Sequence, residues 1–135
     1  MGTWGTGSFE NDDAADFMID VLDSGDLSLI REALDNVLTS TEYVEAPDAT
    51  LAIVAAEIVA AARGRPTLAA QQEEGLADWL AHVRPAIDAD LVRQARDALA
   101  RILAENSELR ELWEETDEAP AWRAVMDELA TQLQA

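Results

Sequence analysis

ATLAIVAAEIVAAA, residues Ala49 to Ala62, is the stretch from which the fold can be read. Leu51, Ile53, Val54, Ile58 and Val59 alternate with alanines, and the only charge is Glu57. A helix that is apolar on nearly every side must be surrounded on nearly every side. It is too short for a membrane span, which needs about 20 apolar residues. The expected role is therefore the hub of a soluble helical domain. Glu57 has three readings here. It lies on a thin exposed strip of the hub; or it is buried and accepts hydrogen bonds from the Trp4 indole, from amides of the glycine-rich N-terminal arm or from an arginine; or it is a ligand-binding or catalytic carboxylate. An ionised carboxylate left buried without partners costs several kcal/mol.

Working outward, helical spacing recurs on both sides of the hub. Asn11 is a good N-cap for a helix over Asp12–Asp23, with Phe17, Met18, Val21 and Leu22 on its inner face. Asp12, Asp16, Asp20 and Asp23 fall on one outer ridge. Ser24-Gly25 stops this helix, and Asp26 can cap a second one reaching Leu38. Tyr43 and Val44 are expected to tuck under the hub, and Pro47 suits the hub's first turn. Gly64 and Pro66 end it. A fourth helix is expected over Glu73–Val83 and a fifth over Asp88–Ala104. A short sixth restarts at Asn106 or Ser107 and carries Leu109, Leu112 and Trp113. Pro120 opens a seventh with Trp122, Val125, Met126, Leu129 and Leu133 on one face. No strand pattern competes. The expectation is an all-α, single-domain bundle of six or seven helices spanning residues 1–135 around the apolar central helix, with residues 1–10 as an arm packed on it.

Charge narrows the function classes. The formal net charge is −19 over 135 residues, and all nine basic residues are arginine. Nucleic-acid binding wants a basic footprint, and anionic membranes repel such a chain, so neither is expected as a partner. Residues 1–48 hold twelve acids against one arginine, Arg31, making the N-terminal third an electrostatic pole. With no cysteine there is no disulfide framework and no thiolate metal site, which fits the cytoplasm. No signal peptide is expected.

The most distinctive local sequence is the opener, WGTGSFENDDAAD, Trp4 to Asp16. Gly5 and Gly7 permit positive φ or close approach, while Trp4 and Phe9 are large apolar anchors. In the structural version, Trp4 and Phe9 plug the bundle and Asn11 caps the first helix. In the functional version, glycine amides and the carboxylates of Asp12, Asp13 and Asp16 line a cleft for a cation or a basic partner. The stretch does not match an EF-hand loop, and its glycines lack the GK[ST] ending of a phosphate loop. His82 is the only histidine, so no two-histidine metal site can form; a surface or capping position suits it. No metal, no cofactor and no catalytic residue is assigned. The acids among Glu111–Glu118 form a second negative patch.

MGTWGTGSFENDDAADF, the EAPD before the hub, AAEIVAAARGRP, and the later ELRELWEE followed by a tryptophan-containing helix resemble the small bacterial proteins grouped as domain of unknown function 4259. The resemblance implies a helical bacterial protein and brings no catalytic residues with it.

Three functions are carried forward. The first is a protein-interaction module that binds a partner, foremost a basic protein, through its acidic N-terminal pole. Bacterial antidotes to basic toxins share this charge and size, which is an analogy from those two properties alone. The second is a ligand- or cation-binding protein or enzyme using Glu57 and the Asp12, Asp13, Asp16 cluster. The third is a structural homo-oligomer.

Overall fold

The computed structural model describes residues 5–134. Eight helices form among them, and no strand. They are α1 (Asp12–Asp23), α2 (Ser28–Leu38), α3 (Ala46–Ala62), α4 (Leu68–Gln72), α5 (Leu76–Val83), α6 (Ala89–Leu103), α7 (Glu108–Glu114) and α8 (Ala119–Gln132).

The hub is α3. Every residue from Ala52 to Ala60 is buried, and α3 packs against α1, α2, α4, α6, α7 and α8. Alanines make this crowding feasible, because a helix surfaced with small side chains lets neighbours approach on all sides. Its mates are amphipathic and turn one face inward: Phe17, Met18 and Val21 from α1, Ile30, Leu34 and Val37 from α2, Leu91, Leu99 and Ile102 from α6. Together with Trp122, Met126 and Leu129 of α8 they join one continuous apolar cluster.

Local chemistry sets the helix ends. Side chains of Asn11, Thr67, Asp88 and Ser107 accept from the first-turn amides of α1, α4, α6 and α7. Pro47 sits in the first turn of α3. Asp26 stands one residue too early to be the N-cap of α2 and instead bonds the Ser28 amide and hydroxyl in a turn just ahead of it.

The connectors are held from outside. Val44 and Ser107 form an isolated parallel bridge, with Val44 N–H donating to Asn106 (2.9 Å) and Glu108 N–H to Val44 (2.9 Å). The Glu108 carboxylate then accepts from the Ala46 amide at the start of α3 (2.7 Å). At the other end of the hub, Arg63 and Arg65 donate to carbonyls at and just beyond the end of α8, at Thr131, Gln132 and Gln134.

Two further expectations are corrected. A single-turn helix, α4, precedes the helix expected over Glu73–Val83, which starts only at Leu76. Gly75 takes φ +85° between them, a left-handed conformation that interrupts the run. Tyr43 is not tucked under the hub but 44% exposed, its hydroxyl donating to Glu111 (2.9 Å) while the backbone of Val44 makes the bridge. In α7, Leu109 and Trp113, four apart, take the inner face, and Leu112 is exposed.

Candidate functional site

Two places bring together residues singled out in the sequence. They lie at opposite margins of the question: one is buried and fully bonded, the other open.

The buried one centres on Glu57. The carboxylate is completely inaccessible, which removes the exposed-strip reading. Ser8, in the N-terminal arm, donates its hydroxyl to one carboxylate oxygen (2.5 Å), and Thr67 donates to the other (2.7 Å). Both hydroxyls are themselves buried, and Thr67 also accepts from the Ala70 amide as the cap of α4. Among the described residues no arginine and no glycine amide bonds Glu57, and the expected donor Trp4 lies outside them. Burial pushes the Glu57 carboxyl up from its usual value; the bonds from Ser8 and then Thr67 pull it back, and the Glu128 carboxylate adds a smaller upward push. Glu57 is thus a three-way fastening of arm, hub and α4 connector. No buried side-chain polar atom is left without a partner among the described residues.

The arm that carries Ser8 is turned on itself. Gly5 N–H donates to the Glu10 carbonyl and Glu10 N–H to the Gly7 carbonyl, both at 3.1 Å. The exposed Glu10 side chain lies over Gly5 and Gly7, and a β-carbon at either position would require its carboxylate to move. The positive-φ glycines among the described residues are Gly64 and Gly75. Phe9 is half-buried against the core. Beneath the arm, Ile53, Leu109, Met126 and the stacked pair Trp113 and Trp122 (ring centroids 6.3 Å apart, 14° between planes) leave a cavity of about 20 Å³. That is room for about one water molecule, not for a metabolite.

The open place is a groove between α1 and the start of α3. Phe17, Pro47 and Leu51 form its floor, and Asp13, Asp16 and Asp20 its rim, around about 210 Å³. The three aspartates are exposed. Asp12, also exposed, sits in the first turn of α1 outside this groove, and Asn11 is committed to capping the Ala14 amide (2.8 Å). Neither the groove nor the cavity beneath the arm contains Glu57 alongside the aspartates. The combined Asp12, Asp13, Asp16 and Glu57 site expected for a ligand is therefore not assembled in either place. Among the described residues no three His, Asp or Glu side chains are gathered so as to hold a metal ion, and no helix is long and apolar enough to cross a membrane.

Sequence reasoning missed Ser8, Thr67, and the pairing of Pro47 and Leu51 with the acidic face of α1. Thr67 had a readable sign, a cap residue directly before an LAA run. Ser8 had none, since a lone hydroxyl in a glycine arm does not advertise a partner 49 residues away.

No curated protein and no solved structure matches the chain. One family model, described as Domain of unknown function (DUF4259), matches residues 2–125 of the 135, and the chain belongs to that family.

Proposed function

We propose that the protein is an interaction module that docks a basic protein partner through its acidic N-terminal pole. The observation that carries this reading is the unpaired acid of α1. Among the described residues the ion pairs join Arg93 to Asp90, and Arg110 and Arg123 to Glu114. None involves an α1 aspartate, although residues 1–48 hold twelve acids to one arginine. Uncompensated charge on one face costs self-repulsion in the free protein and speeds encounter with an oppositely charged partner. The absence of cysteine suits a reducing compartment such as the cytoplasm, and the continuous core suits one domain acting as a unit.

The competing ligand-site reading has less support, because Glu57 is sealed from solvent and both of its oxygens are occupied. Among the described residues the large exposed apolar side chains are Ile19, Tyr43, Leu68 and Leu112, too few to make a broad apolar face for the homo-oligomer reading.

The test is affinity capture with the wild-type chain and with Asp13→Asn/Asp16→Asn/Asp20→Asn as baits. A basic protein retained by the wild type, lost by the variant and released by added salt is the expected result. Partners retained equally by both baits, or insensitive to salt, refute the reading.

A further inference from the structure

The groove between α1 and α3 has the form of a seat for one side chain inside a charged frame. Its floor is apolar: the ring of Phe17, the exposed ring of Pro47 and the half-buried Leu51. At about 210 Å³ it is smaller than the pockets that enclose metabolites, which run from about 300 Å³ upward. Its rim is entirely acidic. Asp13, Asp16 and Asp20 follow at i, i+3 and i+7, so they share one face of α1 and span about 10 Å of its length. Asp16 is also three residues from Ile19, an isoleucine 60% exposed on the neighbouring row of the same helix. Apolar floor and acidic frame together call for complementary chemistry: a bulky apolar residue flanked by lysines or arginines at helical spacing.

We propose that this groove is the docking seat for a basic amphipathic helix of a partner protein. One leucine- or phenylalanine-sized side chain enters between Phe17, Pro47 and Leu51, and basic residues one and two turns along pair with Asp13, Asp16 and Asp20. This is helix-in-groove recognition with the charge frame fixing register. The proposal rests on the interaction-module reading and specifies its surface and the class of its partner. Nucleic acid is repelled by the same frame. A polyamine could meet the aspartates but would leave the apolar floor unused, and that difference is what separates the two experimentally.

The probe is a labelled 18-residue synthetic helix of leucine and lysine in amphipathic order, with a peptide of equal charge in which glutamine replaces leucine as its control. Binding is followed by fluorescence anisotropy at low and moderate salt. Three variants of the full chain are compared: Leu51→Ser, Asp16→Asn/Asp20→Asn, and Glu115→Gln/Asp117→Asn, which removes the same charge from the loop after α7. Circular dichroism melting checks that each is folded. The aspartate pair should weaken the leucine-lysine helix about fivefold, the sum of two exposed ion pairs. Leu51→Ser should weaken it at least as much, as loss of an anchor contact does. The loop variant should change it less than about twofold, and the glutamine peptide should bind more weakly than the leucine one throughout. Should Leu51→Ser shift the melting point, chemical-shift mapping on the wild type must still place the peptide on Phe17, Leu51 and the α1 aspartates. An unaltered affinity in a folded Leu51→Ser, with loss in the aspartate variant, reduces the groove to a polyamine-like charge site and overturns the proposal, while the acidic-pole reading survives. Equal losses from the α1 variant and the loop variant show capture by net charge alone and overturn both.

Discussion

Replacing Glu57 tests the central fastening of the molecule. In Glu57→Ala the buried hydroxyls of Ser8 and Thr67 lose their acceptor. Each buried donor left without a partner costs about 1–3 kcal/mol. The vacated side-chain volume adds a cavity term, since the alanine-rich hub has little freedom to collapse into it. The expected loss is about 3–5 kcal/mol, a large part of the roughly 5–15 kcal/mol that holds a typical domain folded. Glu57→Gln keeps the shape and two polar atoms. Its carbonyl can accept from one hydroxyl and its amide can donate to the other once that hydroxyl turns, so the loss should stay near about 1 kcal/mol at neutral pH. The sign of the pH dependence follows from burial. The Glu57 carboxyl is raised in the folded protein above the 4.5 of the unfolded chain. The folded state therefore holds the proton more tightly, and this stabilisation is fully present below about pH 4.5 and lost as pH rises through the folded value. Glutamine does not titrate. Glu57→Gln should thus lag the wild type most in acid and least near neutrality. Urea unfolding followed by tryptophan fluorescence at pH about 4 and about 7 measures both differences. A gap between Glu57→Gln and wild type that is equal at the two pH values, or that widens towards neutrality, refutes the assigned burial. So does a Glu57→Ala loss below about 1 kcal/mol.

The same network makes Thr67→Ala the costlier of its two hydroxyl deletions. It loses the bond to Glu57 and the cap on Ala70, whereas Ser8→Ala loses the bond alone, so urea midpoints should order them with Thr67→Ala lower by about 1 kcal/mol. The single tyrosine reports the bridge region: the Glu111 carboxylate that accepts its hydroxyl raises the Tyr43 phenol to about 12, and Glu111→Gln should return the phenolate absorbance transition towards 10, while an unchanged transition would break the assigned bond. Arg63→Gln/Arg65→Gln removes the donors to Thr131, Gln132 and Gln134, and hydrogen exchange should speed up selectively over the last turn of α8; uniform exchange across α8 would contradict that local role.

What could be read in advance was whatever the chain encodes over neighbouring residues. The hub showed itself because fourteen consecutive residues carry one charge, and α1 because Asn11 caps a run with Phe17, Met18 and Val21 at helical spacing. What escaped were pairings between distant residues. Ser8 and Glu57 are 49 apart, and Val44 bridges Ser107 through backbone atoms that any residue could supply. Likewise Thr67 shows locally as a cap for the short α4, but its second bond, to Glu57 ten residues away, does not. The same limit divides the candidate site. Spacing placed Asp16 and Asp20 on one ridge with Asp12 and Asp23, but it is Asp13 that joins them at the groove, and the apolar floor comes from the start of another helix, so the groove exists only after packing.

That division separates two roles that one stretch of sequence had merged. Glu57 and the opener looked like members of a single site because both stood out chemically. In the fold, Ser8 uses Glu57 to tie the arm down, and the arm in turn covers the Trp113 and Trp122 pair, so this part of the opener is spent on structure. The α1 aspartates take no part in that fastening, and among the described residues they form no ion pair. A surface that contributes charge without compensation inside the fold is one on which selection for stability has little hold. Neutralising Asp13, Asp16 and Asp20 should accordingly leave the urea midpoint unchanged or raise it slightly by relieving repulsion, while weakening partner binding. A fall in stability of more than about 1 kcal/mol would mean that these aspartates hold the fold together, and would return them to the structural side of the division.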